Sequence, residues 1–218
     1  MKKAILVITI AMFTFIGKSY AEMSYGISGA ITKIDATGTE TEGGETNNGS
    51  ADNTVIIPSI FAEFAYSDTL SIGLDFIPLT ADVSDDVKQR SDTETSVTGT
   101  ATATTTSRTQ KAQAELKNHL TLYANYNLTD SFFVKAGIAH VSLDTTESLG
   151  TGSKYGNKDI LGGVFGIGTQ DGNHRFELTY TDYEDISLSS TVARTGVTTN
   201  NKIDADLDTV AFKYSYVF

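Results

Sequence analysis

From residue 22 onward apolar side chains recur at every second position, segment after segment. That period belongs to β-strands, whose successive side chains point to opposite faces, and not to helices. Tyr25, Ile27, Gly29 and Ile31 share one face of a first strand; Ile56, Pro58, Ile60, Ala62, Phe64 and Tyr66 share a face of a second. After the turn Ser67-Asp68-Thr69 the surface continues through Leu70, Ile72, Leu74, Phe76 and Pro78. Leu120, Leu122, Ala124 and Tyr126 enter a turn at 127–131, and Phe132, Val134, Ala136 and Ile138 leave it. Leu161, Gly163, Phe165 and Ile167 run to Gln170-Asp171-Gly172-Asn173, whose Asp-Gly pair suits the positive φ of a tight hairpin. Phe176, Leu178 and Tyr180 follow, and the chain closes on Val210, Phe212, Tyr214, Tyr216 and Phe218, making eight strands.

The connections alternate in length. Three are the short turns just named; four are long and polar, near 34–53, 80–112, 146–158 and 190–203. Tight turns on one side and long loops on the other are the habit of membrane β-barrels. The apolar stripes also stop at a common length. Val210 to Phe218 is apolar at alternate positions, whereas Asp204, Asp206 and Asp208, on the same phase, are charged. Such a stripe matches the ~9–11 residues that carry a tilted strand through hydrocarbon.

Alternation alone does not say which face looks outward. The opposite face carries Glu63, Asp75, Lys117, Lys135, Arg175, Glu177 and Lys213, among serines, threonines, Asn125 and His119. On a chain of net charge −11, a solvated face would be acid-rich; this one holds three acids against four bases. A closed barrel of this size has an interior filled by side chains, where charges persist when paired. The seven are therefore expected to form a charge network in the lumen, with the apolar face toward lipid. Tyr66, Tyr126, Phe132 and Phe176 lie beside the short turns, where an aromatic girdle belongs.

Two further features bound the reading. The chain has no Cys, which excludes disulfides and thiolate metal sites, and its negative charge argues against nucleic-acid binding. Lys2 and Lys3 precede an apolar run from Ala4 to Ile16, followed by Ser19-Tyr20-Ala21. That is the layout of a secretory signal peptide, and the run is too short for the ~20 residues of a spanning helix. The expected domains are a signal peptide at 1–21 and a β-barrel at 22–218. Cleavage removes three of the 16 basic residues (Lys2, Lys3 and Lys18) and none of the 27 acidic ones, so the net charge moves from −11 to −14.

At the last strand the pattern becomes specific. Val210-x-Phe212-x-Tyr214-x-Tyr216-x-Phe218 resembles the C-terminal assembly signal of Gram-negative outer-membrane proteins, which the barrel assembly machinery reads by strand pairing. Leu122-Tyr-Ala-Asn-Tyr126, Val134-Lys-Ala-Gly-Ile138 and Tyr180-Thr-Asp-Tyr-Glu-Asp185 are similar to strands of the small OmpA-, OmpX- and opacity-like barrels. The resemblance implies an all-β, eight-stranded antiparallel up-and-down transmembrane barrel, monomeric, reaching the outer membrane through the periplasm. It implies outer-membrane lipid, lipopolysaccharide and the assembly machinery as partners, no cofactor, and no enzymatic activity. The implied role is structural or interactional: membrane integrity, surface contact or adhesion. The peptidoglycan-binding domain of full-length OmpA-type proteins does not follow Phe218, so wall anchoring is not implied.

Few residues suggest other chemistry. His119 falls in the luminal phase, His140 in the lipid-facing phase near the outer rim, and His174 in a short turn. His140 and Ser142 share one strand face, similar to the His-x-Ser pair of outer-membrane lipid A deacylases, although the flanking residues differ from that family. A serine nucleophile also needs an orienting acid, which Glu147 or Asp144 supplies only if the loop folds back. A lipid A-modifying enzyme is thus one alternative, and a narrow low-conductance pore another. Glu40, Glu42, Glu45, Asp82, Asp85 and Asp86 lack EF-hand spacing, so no defined metal site is expected. Gly162, Gly163, Gly166 and Gly168 lie inside a strand, where they leave room for tilt and aromatic neighbours. The Thr/Ser-rich stretch 91–109 is a surface segment, extended hairpin or spacer.

Overall fold

The computed structural model describes residues 22–42, 45–98, 102–148, 154–191 and 200–218. The signal peptide expected at 1–21 lies outside them. The eight strands foreseen are β1 (Met23–Glu42), β2 (Glu45–Ala65), β3 (Leu70–Ile77), β7 (Ala114–Asn127), β8 (Phe132–Thr145), β9 (Asn157–Asp171), β10 (His174–Tyr183) and β12 (Lys202–Val217). They pair antiparallel in that order, and β12 pairs back onto β1 from Gly26–Val217 to Thr41–Lys202, so the sheet closes. Four further strands decorate the long-loop end: β4 (Ala81–Asp82), β5 (Lys88–Thr98), β6 (Thr102–Ala112) and β11 (Ile186–Ser189). β4 pairs β7, β11 pairs β12, and β5 with β6 forms a separate two-stranded sheet across the Thr/Ser-rich stretch.

The apolar stripes foreseen as one surface face outward. Ile56, Ile60, Ile138, Phe165 and Phe212 are each more than half exposed, while Glu63, Asp75, Lys135, Arg175 and Glu177 are buried inside. Contiguous apolar surface of that extent is rare on monomeric water-soluble proteins and marks a surface that meets lipid or another protein. In lipid only helices and closed barrels satisfy the backbone, and this cylinder, greasy outside and charged inside, is a membrane-spanning barrel.

Two expectations from the sequence are corrected. The stretch 34–53 is not a loop: β1 and β2 stay paired in unbroken register up to Glu42–Glu45. Its polar outer residues misled because a strand leaving the lipid needs no apolar stripe facing water. The second correction concerns Lys117. β7 carries a bulge between Lys117 and Leu120, with Asn118 at φ 55°. One extra residue flips the side-chain phase, so Leu116 points inward and Lys117 outward, away from the other six charges.

Small residues let the interior close over its aromatic rings. A Cβ on Gly168 would stand 2.3 Å from the Phe133 ring, and one on Gly73 would stand 2.4 Å from that of Tyr123. The wall is incompletely paired beside its two prolines. The β2–β3 ladder stops at Ile60–Phe76, two residues short of both Pro58 and Pro78, which have no N–H to donate. Beyond that point Asn53 Nδ2 donates to the Asp82 carbonyl at 2.8 Å and the Asp85 N–H to the Asp52 carbonyl at 3.2 Å, stitching the edge.

Candidate functional site

The interior is layered along the barrel axis. Nearest the short turns, Arg175 lies between the rings of Phe61 and Phe133, 5.3 and 5.4 Å from their centroids. Its two terminal nitrogens reach Glu63 at 2.5 and 2.8 Å, and its Nε donates to Gln170 at 2.8 Å. Glu63 also accepts from Tyr123 Oη at 2.8 Å and Asn125 Nδ2 at 2.9 Å, so its carboxylate is amply hydrogen-bonded. One layer on, Lys135 pairs with Glu177 and sits 4.0 Å over the Tyr123 ring. Lys213 Nζ reaches Asp75 at 2.7 Å, and Ser59 donates to the same carboxylate oxygen at 3.1 Å.

Six of the seven charges foreseen in the lumen are thus brought together as three pairs. Lys117 is the exception: it binds Glu115 and Asp144, each at 2.9 Å, on the outer face above the apolar belt. Removing it turns the four bases against three acids into three of each, a neutral plug. Neutrality matters because a lone charge in so narrow a space would go unpaired at a cost of several kcal/mol.

Toward the long-loop end the interior turns from charged to polar and then to apolar. Thr121, Thr181 and Thr209 line the transition with His119, whose Nε2 is 2.9 Å from Tyr183 Oη. Beyond them Ile34, Ala139, Val141, Ile160 and Leu207 are at most 2% exposed and form a closed apolar layer. Above this floor is a cavity of about 450 Å³ lined by Leu143, Tyr155, Ile186, Leu188, Ile203 and Leu207, with Glu40 and Glu147 in its wall. Nothing in the stripe-by-stripe reading of the sequence pointed to this chamber. The signal was present in β12: Ile203, Ala205 and Leu207 lie on the inward phase beside outward Asp204, Asp206 and Asp208, and the apolar residues change face at Thr209–Val210.

The aromatic residues foreseen as a girdle surround the short-turn end and face outward: Tyr66, Tyr126, Phe132 and Phe176 are 38–54% exposed. Phe176 stacks on Phe212 and tilts against Tyr214; Tyr25 stacks on Phe218. His174 joins them, with Nδ1 2.8 Å from Tyr214 Oη. Val210, Phe212, Tyr214, Tyr216 and Phe218 occupy the outward phase of the closing strand.

His140 and Ser142 share the outer face of β8, as foreseen, but the acid beside them is neither Glu147 nor Asp144. Asp144 binds Lys117, and Glu147 accepts the Tyr155 N–H at 2.6 Å. Ser142 Oγ instead donates to Asp159 Oδ1 at 2.7 Å, while His140 Nε2 stands 3.9 Å from that same oxygen. A relay requires the imidazole to accept the serine proton; here the carboxylate takes it. Among the described residues no group of three or more His, Asp or Glu is placed to hold a metal ion.

No family description and no curated protein matches the sequence. Among solved structures, the outer membrane protein OprG from Pseudomonas aeruginosa superposes with a TM-score of 0.52 at 14% identity, over 92% of this chain and 98% of that one. The outer membrane protein AlkL, determined in lipid bilayers, gives 0.51 at 13% identity over 93% of each. With its closed eight-strand sheet, outward apolar belt and girdle of rings, the chain has the fold of the small outer-membrane β-barrels.

Proposed function

We propose that this chain is a non-enzymatic outer-membrane barrel whose lumen is sealed and whose work is done at the long-loop end. Outer-membrane barrels carry short turns toward the periplasm and long loops outside, which would put both ends of the described chain in the periplasm and the chamber at the cell surface. The observation carrying this reading is the neutral plug: Arg175–Glu63, Lys135–Glu177 and Lys213–Asp75 fill the bore within the membrane. An ion crossing would have to separate buried pairs, so a narrow pore is disfavoured. The terminal Val210–Phe218 pattern would serve the assembly machinery, and lipopolysaccharide would surround the barrel above the apolar belt. In planar bilayers the purified protein should give no steady single-channel steps, while its folded form migrates differently from the boiled form on gels. Reproducible conductance through the folded protein would refute the sealed lumen.

One juxtaposition favours a second reading. Ser142, Asp159 and His140 meet at the lipid-facing rim, where a lipid A-modifying enzyme would act. That reading requires the imidazole to swing onto the hydroxyl. It predicts a change in lipid A mass on incubation with the purified protein, abolished by Ser142→Ala or His140→Ala; an unchanged mass removes it.

A further inference from the structure

The chamber above the apolar floor has the attributes of a binding site and no structural need to be hollow. Its volume of about 450 Å³ falls within the range of small-molecule pockets. Ile34, Val141 and Ile160 close it from below, and exposed Asn47, Asn48 and Gln89 stand at its rim, so it is entered from the long-loop end. Tight packing of this layer would have been the stable alternative, since interiors approach crystal density.

Its wall also holds one polar group that is out of place. Glu147 Oε1 accepts the Tyr155 N–H, but Glu147 Oε2 is buried without a hydrogen-bond partner among the described residues. Leaving a buried carboxylate oxygen unmade costs free energy, which an incoming donor would recover. A second carboxylate, Glu40, lies in the same wall and accepts from Tyr155 Oη at 2.7 Å, while the two lysines of the lining, Lys88 and Lys111, are exposed to solvent. Apolar lining around a carboxylate short of a donor selects a molecule of matching polarity.

We propose that the chamber binds a small amphiphile, an apolar body carrying a single ammonium group that donates to Glu147. This rests on the reading that the long-loop end is the working end, but it is tested separately from the sealed lumen.

The test uses the folded barrel in lipid nanodiscs, titrated with cyclohexylmethylamine, cyclohexylmethanol and cyclohexanecarboxylate, with empty nanodiscs subtracted. Binding heats and methyl NMR shifts at Leu143, Leu188 and Ile203 are read together. The amine should bind more tightly than the alcohol and the carboxylate should not bind. Glu147→Gln should weaken the amine roughly tenfold, about 1.4 kcal/mol, and leave the alcohol nearly unchanged. Ala36→Phe, or Ala205→Phe if the first fails to fold, should fill the chamber and abolish binding of both. Equal binding of amine and carboxylate, or methyl shifts absent with the amine on the unaltered protein, would overturn the proposal without any variant. If the barrel is silent in bilayers yet binds no amine, the chamber proposal fails and the sealed lumen stands; if it conducts and binds the amine, the reverse holds.

Discussion

Arg175 grips Glu63 through both terminal guanidinium nitrogens, at 2.5 and 2.8 Å, across 112 residues of sequence. The contact ties β10 to β2 through the middle of the lumen, where neither strand neighbours the other in the sheet. Bidentate geometry of this kind depends on the planar fork of arginine.

Breaking that pair from one side leaves a buried charge uncompensated, so Glu63→Gln is expected to cost about 3–5 kcal/mol. Glu63→Gln combined with Arg175→Met removes both charges and should return much of the loss. Urea unfolding in lipid vesicles, followed by the folded-to-unfolded band shift, measures both. A double variant as unstable as the single one would contradict the charge-pair account.

The outward belt sets a depth-dependent penalty. Phe165 is 62% exposed near the middle of the apolar stretch of β9, and Phe165→Arg should cost about 2–4 kcal/mol in a bilayer. Asp52 faces Asp35 directly across the β1–β2 ladder, above the belt. Like charges placed opposite one another repel, so Asp52→Arg is expected to be neutral or stabilising in the same unfolding assay.

At the β7 bulge the backbone itself can be tested. Asn118 sits at φ 55°, a conformation that Asn and Gly tolerate and branched residues do not. Asn118→Val should lose about 1–2 kcal/mol, whereas Asn118→Gly should stay close to the parent. Equal stability of the two would mean that the bulge is not held by this residue.

The exposed charges above the belt give a pH signature. The Lys202 ammonium 2.8 Å from Asp204, together with a hydrogen bond involving Ser187, holds the Asp204 carboxyl below its ordinary value of 3.8. Because the folded value is the lower one, the contact favours the folded state above the ordinary value and loses its effect as pH falls through the folded one. Both partners are about half exposed, so the influence on overall stability is slight. A carboxyl NMR titration should place Asp204 below 3.8, and Lys202→Met should move it upward.

Strand number, pairing order and the inside-out arrangement were legible because lipid imposes an uninterrupted apolar face on each crossing, as Val210 to Phe218 shows. The same physics hid the rest. An apolar stripe records the thickness of the hydrocarbon layer and not the length of the strand, so β1 and β2 were cut short at the membrane edge. Strict alternation puts Lys117 inside because it gives no sign of the bulge at Asn118. The pairing of Arg175 with Glu63 joins strands that are not neighbours, that of Ser142 with Asp159 depends on the β8–β9 register, and alternation within one strand says nothing about either. The chamber was readable only by following both phases of β12 at once.

That exchange of faces at Thr209–Val210 has a mechanical consequence. Pushed inward by one residue pair, the cylinder would drag Asp208 into acyl chains; pulled outward, it would lift Val210 into water. Each long strand therefore carries its own waterline, and the barrel floats at a fixed draught, with the mouth of its cup held at a constant height above the lipid.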